Sequence, residues 1–351
     1  MPETSFAPDE NVPLAPLTTF GIGGPARFFV RAENLGILQE ALQFARSNEK
    51  PIFILGGGSN ILVSDRGFGG IVIQIAFRGI EPANETAETI CLQVGAGEEW
   101  DAFAAYCVER DYAGVECLSG IPGSVGGTPI QNVGAYGQEV SETIVSVDVY
   151  DRASGTIVKL LNSECGLAYR TSIFNTITRD RYIVLSVQFR LVKGGAANIR
   201  YRDLADQFDG RTPSLAETRE AVLNVRRSKS MVIDPDDPNS RSAGSFFKNP
   251  IVSKEAFDDI SARFTNVPGF KVDGSQIKIP AAWIIENAGF PKGYVGGNAG
   301  ISNNHTLAII NRNGATAVEI IALKNKIENA VFAMFGICLT PEPIFVGFDA
   351  D

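Results

Sequence analysis

The segment from residue 114 to residue 139 is dominated by glycine, proline, serine and asparagine, in runs such as GIPGSVGGTP (120–129) and QNVGAYG (131–137). No regular element persists through so many breakers, so the segment must be a structured loop whose backbone has a special purpose. A second glycine-rich run, GGGSN at 56–60, directly follows the strand-like PIFIL at 51–55. Any fold of this chain must therefore accommodate two glycine-rich loops.

Strand and helix patterns alternate on both sides of these loops. Apolar residues at helical spacing predict one helix around residues 35–45 and another over 98–110. Strand-like runs are predicted at 26–31, 51–55, 71–75, 91–94, 145–150, 156–161 and 182–191. The N-terminal part therefore has a β-α-β rhythm.

A further helix is predicted to open at Thr212-Pro213-Ser214 and to continue to Arg227, with Glu217 able to form a capping box. We place the domain boundary just before it, which gives domains of 1–211 and 212–351. The second domain is predicted to hold a strand at 306–311, a helix that stops at Gly336 and a final strand at 338–347. The apolar face of that helix is predicted to comprise Ile320, Ile321, Ile327, Val331 and Met334.

Composition excludes several classes of function. A length of 351 residues suits two or three packed units, and a net charge of -9 argues against broad nucleic-acid binding. One histidine, His305, cannot build a multi-histidine metal site, and five scattered cysteines are expected to be reduced and mostly buried. No apolar run spans a bilayer and the start is not leader-like, so we expect a cytoplasmic protein whose redox chemistry, if any, a cofactor carries.

The two glycine-rich loops have the composition of a cofactor cradle. Three successive glycines after a strand can turn their N–H groups around a phosphate, although a tight loop that needs positive φ is the alternative. Two such loops in one domain suit a dinucleotide. The chain has no P-loop motif, and its nearest Rossmann candidate, at 95–97, has Trp100 where the third glycine should be. A less common dinucleotide fold is indicated.

These segments resemble a known flavoprotein family. The run TFGIGGPA at 19–26, together with 56–60 and 120–137, is similar to the FAD-binding segments of the vanillyl-alcohol-oxidase-like (PCMH) superfamily. The exact residues of these three segments resemble the UDP-N-acetylenolpyruvoylglucosamine reductase (MurB) branch of that superfamily. The resemblance implies an α+β fold: a PCMH-type FAD-binding domain of two α/β subdomains over 1–211, and an α+β substrate-binding domain over 212–351. Ser59 and Asn60 stand where other members attach flavin covalently, which implies dissociable FAD.

The resemblance also implies which residues hold the cofactor. They are Gly56, Gly57, Gly58, Ser59, Asn60, Gly120, Pro122, Gly123, Ser124, Gly127, Thr128, Asn132, Gly134, Ala135 and Tyr136.

Three motifs are similar to the active-site motifs of the family. In YRTSIF (169–174), Arg170 would hold a substrate carboxylate, and in TPEP (340–343), Glu342 would help to polarise the reacting group. In GSFFKNP (244–250), Ser245 would be the proton donor. Outside these motifs the same residues would be interpreted as a surface arginine, an edge carboxylate and a turn serine.

Substrate contacts are implied for a set of mostly basic residues, which would neutralise a UDP-sugar diphosphate. They are Tyr201, Arg226, Lys229, Lys248, Asn249 and Lys278. Tyr201 implies the subtype with a mobile tyrosine loop. The chain departs from the family at Ser242, often Asn, and at Asp101, often His, and we interpret His305 as a structural residue at a strand start.

The resemblance implies an FAD-dependent reductase that converts UDP-N-acetylglucosamine enolpyruvate to UDP-N-acetylmuramate with NADPH, for peptidoglycan synthesis. FAD would deliver hydride to the enolpyruvyl CH2 carbon. We expect a monomer with a UDP-sugar as its partner and no nucleic acid, membrane or metal. The alternatives are an alcohol or sugar oxidase of the same superfamily, which would have no need of the Ser245 motif, and a non-catalytic flavin- or nucleotide-binding protein.

Overall fold

A computed structural model describes residues 6–348. The chain forms two compact units, and neither is continuous in sequence. The first comprises residues 6–12, Ala26–Gly58 and Gly69–Ser228; the second comprises Pro13–Pro25, Ser59–Phe68 and residues 229–348.

The strands are distributed over both units. In chain order they are β1 (Asp9–Pro13), β2 (Pro25–Ala32), β3 (Ile52–Leu55), β4 (Ile61–Val63), β5 (Phe68–Ile75), β6 (Ile80–Glu85), β7 (Thr89–Gly95), β8 (Tyr112–Ala113), β9 (Gly134–Ala135), β10 (Gln138–Glu139), β11 (Ile144–Asp151), β12 (Thr156–Leu161), β13 (Tyr182–Lys193), β14 (Ile251–Ser253), β15 (Phe270–Asp273), β16 (Gln276–Lys278), β17 (Val295–Gly296), β18 (Ala299–Ile301), β19 (Ile309–Asn311) and β20 (Ile344–Val346).

Helices of several lengths connect these strands. The α-helices are α1 (Leu35–Ser47), α2 (Trp100–Glu109), α3 (Arg202–Ala205), α4 (Leu215–Ser228), α5 (Lys254–Arg263), α6 (Ala281–Asn287) and α7 (Ala317–Phe335). Single 3-10 turns lie at Ala15–Leu17, Glu116–Leu118, Val125–Gly127, Val140–Glu142, Asn162–Glu164, Ile173–Asn175, Asp206–Phe208 and Pro238–Ser240.

The first unit contains two main sheets. One has the order β1-β2-β5-β3, and the other has the order β12-β11-β13-β7-β6 with β8 also paired to β13. The twelve-residue β13 pairs antiparallel with both β11 and β7 and so forms the middle of its sheet. Helix α2 packs here, because Trp100 contacts the rings of Phe103 and Phe189 at centroid distances of 5.7 and 5.9 Å. The glycine-rich loop at 114–139 is attached to this core through the buried side chains of Val115, Leu118 and Val125.

The second unit is built around α7 and three small sheets, β14-β16-β15, β17-β18-β19 and β20-β4. Its hydrophobic core includes Phe20 and Leu62, both fully buried, although they come from the N-terminal part of the chain. Strand β4 pairs in parallel with β20, with Ile61 opposite Ile344. The segments Pro13–Pro25 and Ser59–Phe68, which we call the two N-terminal insertions, are therefore integral parts of the second unit.

Most predicted elements are confirmed, and so is the α+β class. The helices around 35–45 and over 98–110 are α1 and α2, and the helix predicted to open at 212–214 is α4, with Glu217 bonded to the N–H of Ser214 at 2.8 Å. The predicted strands at 145–150, 156–161 and 182–191 are β11, β12 and β13. Gly336 ends α7 with φ of 69°, as predicted.

Four predictions about the C-terminal part were wrong. The strands expected at 306–311 and 338–347 extend only over β19 and β20, since only those residues find ladder partners. Met334 is exposed, and Leu323 and Phe335 complete the buried face of α7 in its place. His305 lies in the turn before β19 and not at a strand start.

The compact units also differ from the domains drawn from the sequence. The first unit continues through α4 to Ser228, because the buried Val222 of this helix packs against Cys117 and Phe208. The assignment of 1–211 to the cofactor and 212–351 to the substrate concerns function and stays a prediction.

All five cysteines lie within the described residues and are free, and four of them are buried, as predicted. Burial raises the pKa of the Cys117 thiol to about 12, so this thiol stays protonated and unreactive at neutral pH. Among residues 6–348, no helix combines the length and the apolar character that crossing a bilayer requires.

Asp65 provides a test of how the 59–68 insertion is fixed within the second unit. Its carboxylate accepts the N–H groups of Ala317 at 2.7 Å and Val318 at 3.0 Å, at the N-terminus of α7. We expect Asp65→Ala to lower the free energy of unfolding by about 1–2 kcal/mol, since two helix N–H groups and the helix dipole lose an acceptor.

Urea denaturation followed by circular dichroism measures this change. Asp258→Ala is the matched control, because it removes an exposed carboxylate of the same unit that only pairs with Lys254 on α5. Equal destabilisation by both substitutions would show that Asp65 does not anchor α7.

Candidate active site

The two glycine-rich loops of the first unit meet backbone to backbone. A Cβ at Gly57 would lie 2.6 Å from Cα of Gly123, and a Cβ at Gly56 would lie 2.8 Å from Oγ of Ser124. Gly58 has φ of 67°, a left-handed conformation that favours glycine. The structure thus brings together cofactor residues predicted from two separate segments, and explains why glycine is needed at their contact.

Trp100 fixes the longer glycine-rich loop to the core. Its backbone N–H donates to the carbonyl of Gly123 at 3.0 Å, and its indole Nε1 donates to the carbonyl of Leu118 at 2.9 Å. The N–H of Val125 donates to the carbonyl of Glu98 at 2.8 Å. These hydrogen bonds satisfy buried backbone groups of the loop and fix its path from within the protein.

Asp101 is a second anchor of this loop. Its carboxylate accepts the N–H of Gly120 at 2.5 Å and both terminal nitrogens of Arg219 on α4, at 2.6 and 2.9 Å. Burial pushes the pKa of Asp101 upward, but the hydrogen bonds from Arg219 and Gly120 outweigh it, so the pKa lies below its usual value. From its sequence context Asp101 was predicted only to be a departure from the family, and its role as an anchor was missed. The signal that could have indicated this role is an aspartate at a helix start beside a glycine-rich loop.

Two of the predicted cofactor residues use their side chains to shape the loop. Asn132 is 1% exposed with φ of 46°, and its Nδ2 donates to Glu139 at 2.8 Å and to the carbonyl of Ala168 at 3.2 Å. Thr128 donates from its hydroxyl to the carbonyl of Val125 at 2.8 Å. Both residues set the path of the loop.

Tyr136, Tyr201 and Arg226 lie together in the first unit. The rings of Tyr136 and Tyr201 pack edge to face at a centroid distance of 5.7 Å. Burial raises the pKa of Tyr136, and the hydrogen bond with Arg226 opposes this shift. Arg226 is 7% exposed, and burial lowers its pKa. One predicted cofactor residue is thus in contact with two predicted substrate residues.

Arg170 lies beside the same part of the loop. Its backbone has φ of 53°, and its Nη2 donates to the carbonyl of Gly134 at 2.8 Å. A non-glycine residue in this conformation is uncommon and is often held so for function. The structure therefore places the predicted catalytic arginine next to predicted cofactor residues of its own unit.

In the second unit, the segment 242–248 that carries Ser245 is hydrogen-bonded along both edges. The N–H of Phe246 donates to the carbonyl of Leu307 at 2.8 Å, and the carbonyl of Phe246 accepts the N–H of Glu342 at 2.9 Å. The N–H of Lys248 donates to the carbonyl of Thr340 at 2.9 Å. These bonds put the main chains of the two predicted catalytic residues, Ser245 and Glu342, beside each other.

Ser59 and Asn60 belong to the second unit, whereas Gly56–Gly58 belong to the first. Asn60 donates from Nδ2 to the carbonyl of Glu342 at 3.2 Å and accepts the N–H of Ile344 at 3.0 Å. The carbonyl of Ser59 accepts the hydroxyl of Thr19 at 3.4 Å, and this hydroxyl also lies 2.6 Å from the carbonyl of Ser242. The structure therefore groups these two residues with the Ser245 segment.

The hydroxyl of Ser245 has a partner that sequence analysis did not foresee. Its Oγ lies 3.4 Å from Nε2 of His305. The rarity of histidine in this chain was the one sequence signal that could have drawn attention to His305.

Three predicted substrate residues of the second unit, Lys248, Asn249 and Lys278, lie in or just before the strands of one small sheet. Lys278 in β16 is opposite Ile251 in β14, just after Lys248 and Asn249. Asn249 also accepts the N–H of Ala281 through Oδ1 at 2.9 Å, at the start of α6. Lys229 begins the third segment of this unit, directly after α4.

Comparison with protein families gives two matches. The model of the UDP-N-acetylenolpyruvoylglucosamine reductase C-terminal domain matches residues 236–346, and the model of an FAD binding domain matches residues 26–161. Two reductases of that name are similar over nearly their whole lengths. The protein of Thermobifida fusca is 48% identical, covering 98% of this chain and 99% of its own, and that of Saccharopolyspora erythraea is 43% identical, covering 97% and 96%.

The solved structure of the reductase from Thermus caldophilus matches with a TM-score of 0.67 at 24% identity, covering 96% of this chain and 98% of its own. This likeness shows a shared fold and, together with the FAD binding domain match, confirms the expected flavoprotein architecture.

Gly57 allows a test of the contact between the two glycine-rich loops. We expect Gly57→Ala to weaken FAD binding about 10-fold or more, because forcing a Cβ against the backbone of Gly123 costs about 1–3 kcal/mol and displaces the loop. Flavin content and titration of the apoprotein with FAD measure the effect.

Gly69→Ala is the control for this test. It adds the same methyl group in the same unit, at a position with no atom within 4 Å. Unchanged FAD affinity in Gly57→Ala would show that the loop contact does not shape the cofactor site.

Proposed function

The chain belongs to the UDP-N-acetylenolpyruvoylglucosamine reductase family and catalyses an FAD-dependent reduction of that enolpyruvyl UDP-sugar, and we propose that Ser245 donates the proton in this reaction. The observation that carries the proposal is the pairing of the Ser245 segment with the Glu342 main chain through Phe246.

Reduction of the double bond requires a hydride at one carbon and a proton at its neighbour. When bound, FAD would supply the hydride for the enolpyruvyl CH2 carbon. Ser245 gives its hydroxyl proton to the neighbouring carbon, which is basic because the substrate has gained electron density. Fixed positioning lets a weakly acidic hydroxyl act here, since the proton acceptor is a carbanion-like carbon.

Arg170 and Glu342 would control the charge of the substrate. We propose that the guanidinium of Arg170 holds the substrate carboxylate and stabilises the enolate-like charge through its paired donors. Its placement beside the Gly134 carbonyl supports this role. Glu342 would polarise the enolpyruvyl group; the backbone bond from its N–H to Phe246 supports its assignment beside Ser245.

FAD would be held by the residues predicted for it in the two loops and at 59–60. The loop contact supports the fit, because glycines at 56 and 57 leave backbone surface that a Cβ would fill. The diphosphate of the UDP-sugar and its neighbouring atoms would be contacted by Arg226, Lys229, Lys248 and Lys278, together with Tyr201 and Asn249. Tyr201 would lie on a loop that moves when substrate binds. We propose NADPH as the reductant of the flavin.

The cellular setting completes the proposal. We place the chain in the cytoplasm as a monomer, with neither nucleic acid nor membrane as a partner. Five free cysteines suit a reducing compartment, and a net charge of -9 is unfavourable for nucleic acid. Size-exclusion chromatography with light scattering tests the monomer.

The functional assignment is tested with purified protein. Acid precipitation should release the flavin into the supernatant, and NADPH oxidation should depend on the enolpyruvyl UDP-sugar. Rapid return of the oxidised flavin spectrum with oxygen alone, and none with the UDP-sugar, would favour an oxidase.

Ser245→Ala tests the proton donor. We expect reduction of the flavin by NADPH to keep its rate, and reoxidation by the enolpyruvyl UDP-sugar to slow by about 10²–10⁴-fold, because only the second half-reaction needs the proton. Stopped-flow absorbance separates the two half-reactions.

Ser253→Ala is the matched control, since it removes a hydroxyl of the same unit that only caps α5. Equal slowing of both half-reactions in Ser245→Ala would contradict the assignment.

A further inference from the structure

His305 is the single histidine of the chain, and its imidazole faces the hydroxyl of Ser245. The distance from Nε2 to Oγ is 3.4 Å, and both residues belong to the second unit. The tautomer of the imidazole decides which of these two atoms donates the hydrogen bond. The contact therefore joins the proposed proton donor to the single imidazole of the chain.

The turn that carries His305 is closed by its own backbone. The N–H of Ser302 donates to the carbonyl of Ala308 at 2.9 Å, and the N–H of Ala308 donates to the carbonyl of His305 at 3.1 Å. The carbonyl of Leu307, in the same turn, accepts the N–H of Phe246. The main chains of the turn and of the Ser245 segment are therefore fixed to each other.

Side chains on either side of His305 anchor the turn elsewhere. Asn304 donates from Nδ2 to the hydroxyl of Ser230 at 2.8 Å, and Thr306 donates from its hydroxyl to the carboxylate of Glu286. Thr306 is buried. With both neighbours held, the imidazole of His305 is presented to Ser245 in a defined direction.

We propose that His305 is a positioning residue for Ser245, and that its Nε2–H donates a hydrogen bond to Oγ of the serine. This inference rests on the proposed role of Ser245 as the proton donor. A serine hydroxyl has one hydrogen to give and two lone pairs to accept with. When Nε2 is the donor, the hydroxyl hydrogen is left to point at the substrate carbon.

The same bond strengthens during the reaction. As the new C–H bond forms, the O–H bond of Ser245 breaks and its electron pair stays on Oγ. Oγ thereby gains negative charge, and the hydrogen bond from Nε2–H becomes charge-assisted and stronger. The alkoxide then regains a proton from solvent, which is the proton that the overall reduction consumes.

The tautomer of His305 can be observed directly. Because the chain has one histidine, protein labelled with ¹⁵N-histidine and freed of any tag gives the signals of this imidazole alone. At mildly alkaline pH, where imidazole is neutral, we expect Nε2 to carry the hydrogen and its shift to change in Ser245→Ala. A hydrogen on Nδ1 with an unprotonated Nε2 would overturn the proposal.

Half-reaction kinetics test the functional consequence. We expect His305→Ala to slow reoxidation by the enolpyruvyl UDP-sugar about 10- to 100-fold and to leave flavin reduction by NADPH unchanged. His305→Gln, whose amide N–H can replace Nε2–H, should recover most of the lost rate. The double variant with Ser245→Ala should be no slower than Ser245→Ala alone, since the histidine acts only through the serine.

Asn303→Ala is the matched control, because it truncates an exposed side chain of the same turn while the backbone N–H of residue 303 keeps its bond to Oδ1 of Asn239. Reoxidation at the wild-type rate in His305→Ala, a fully additive loss in the double variant, or equal slowing in Asn303→Ala would each overturn the inference. If Ser245→Ala itself reoxidises normally, the proposed proton donor fails first, so the two failures are distinguishable. Retained flavin and an unchanged thermal midpoint in His305→Ala show that the variant is folded.

Discussion

Buried backbone groups need partners, and the long glycine-rich loop satisfies this requirement with a small set of anchors. Trp100 supplies a backbone donor and an indole donor, Asp101 accepts the N–H of Gly120, and Asn132 connects the loop to the carbonyl of Ala168. Glycine then permits the close contact with Gly57. These contacts hold a chain segment without regular structure in one conformation. A flat, charged cofactor then binds without losing part of its binding free energy to the ordering of the loop.

The same requirement is met differently in the second unit. There the segment 242–248 is bonded to Leu307 through the N–H of Phe246, and to Glu342 and Thr340 through the carbonyl of Phe246 and the N–H of Lys248. Main-chain bonds fix the position of each Cα and leave the side chains available for chemistry. Substitutions of the proposed catalytic side chains are therefore expected to leave these main-chain bonds in place.

Local patterns predicted much of the fold. Helices α1, α2 and α4 and the strands β11–β13 follow from apolar spacing and caps that lie within each segment. The strands at 306–311 and 338–347 were predicted too long because a ladder needs a distant partner, and β20 finds its partner in β4. The membership of 13–25 and 59–68 in the second unit, and the contact of His305 with Ser245, depend on tertiary structure that no local pattern encodes. The roles of Arg170, Ser245 and Glu342 came from resemblance, since each residue alone would be unremarkable.

The interleaved course of the chain also bears on biosynthesis. Strand β4 leaves the ribosome long before β20, its pairing partner, is synthesised. The core around Phe20 and Leu62 must therefore wait for the segments that complete it, a high contact order that slows folding and leaves apolar surface exposed during translation. A gene divided after Ser228 would encode two fragments, and the second would lack both N-terminal insertions that complete its core.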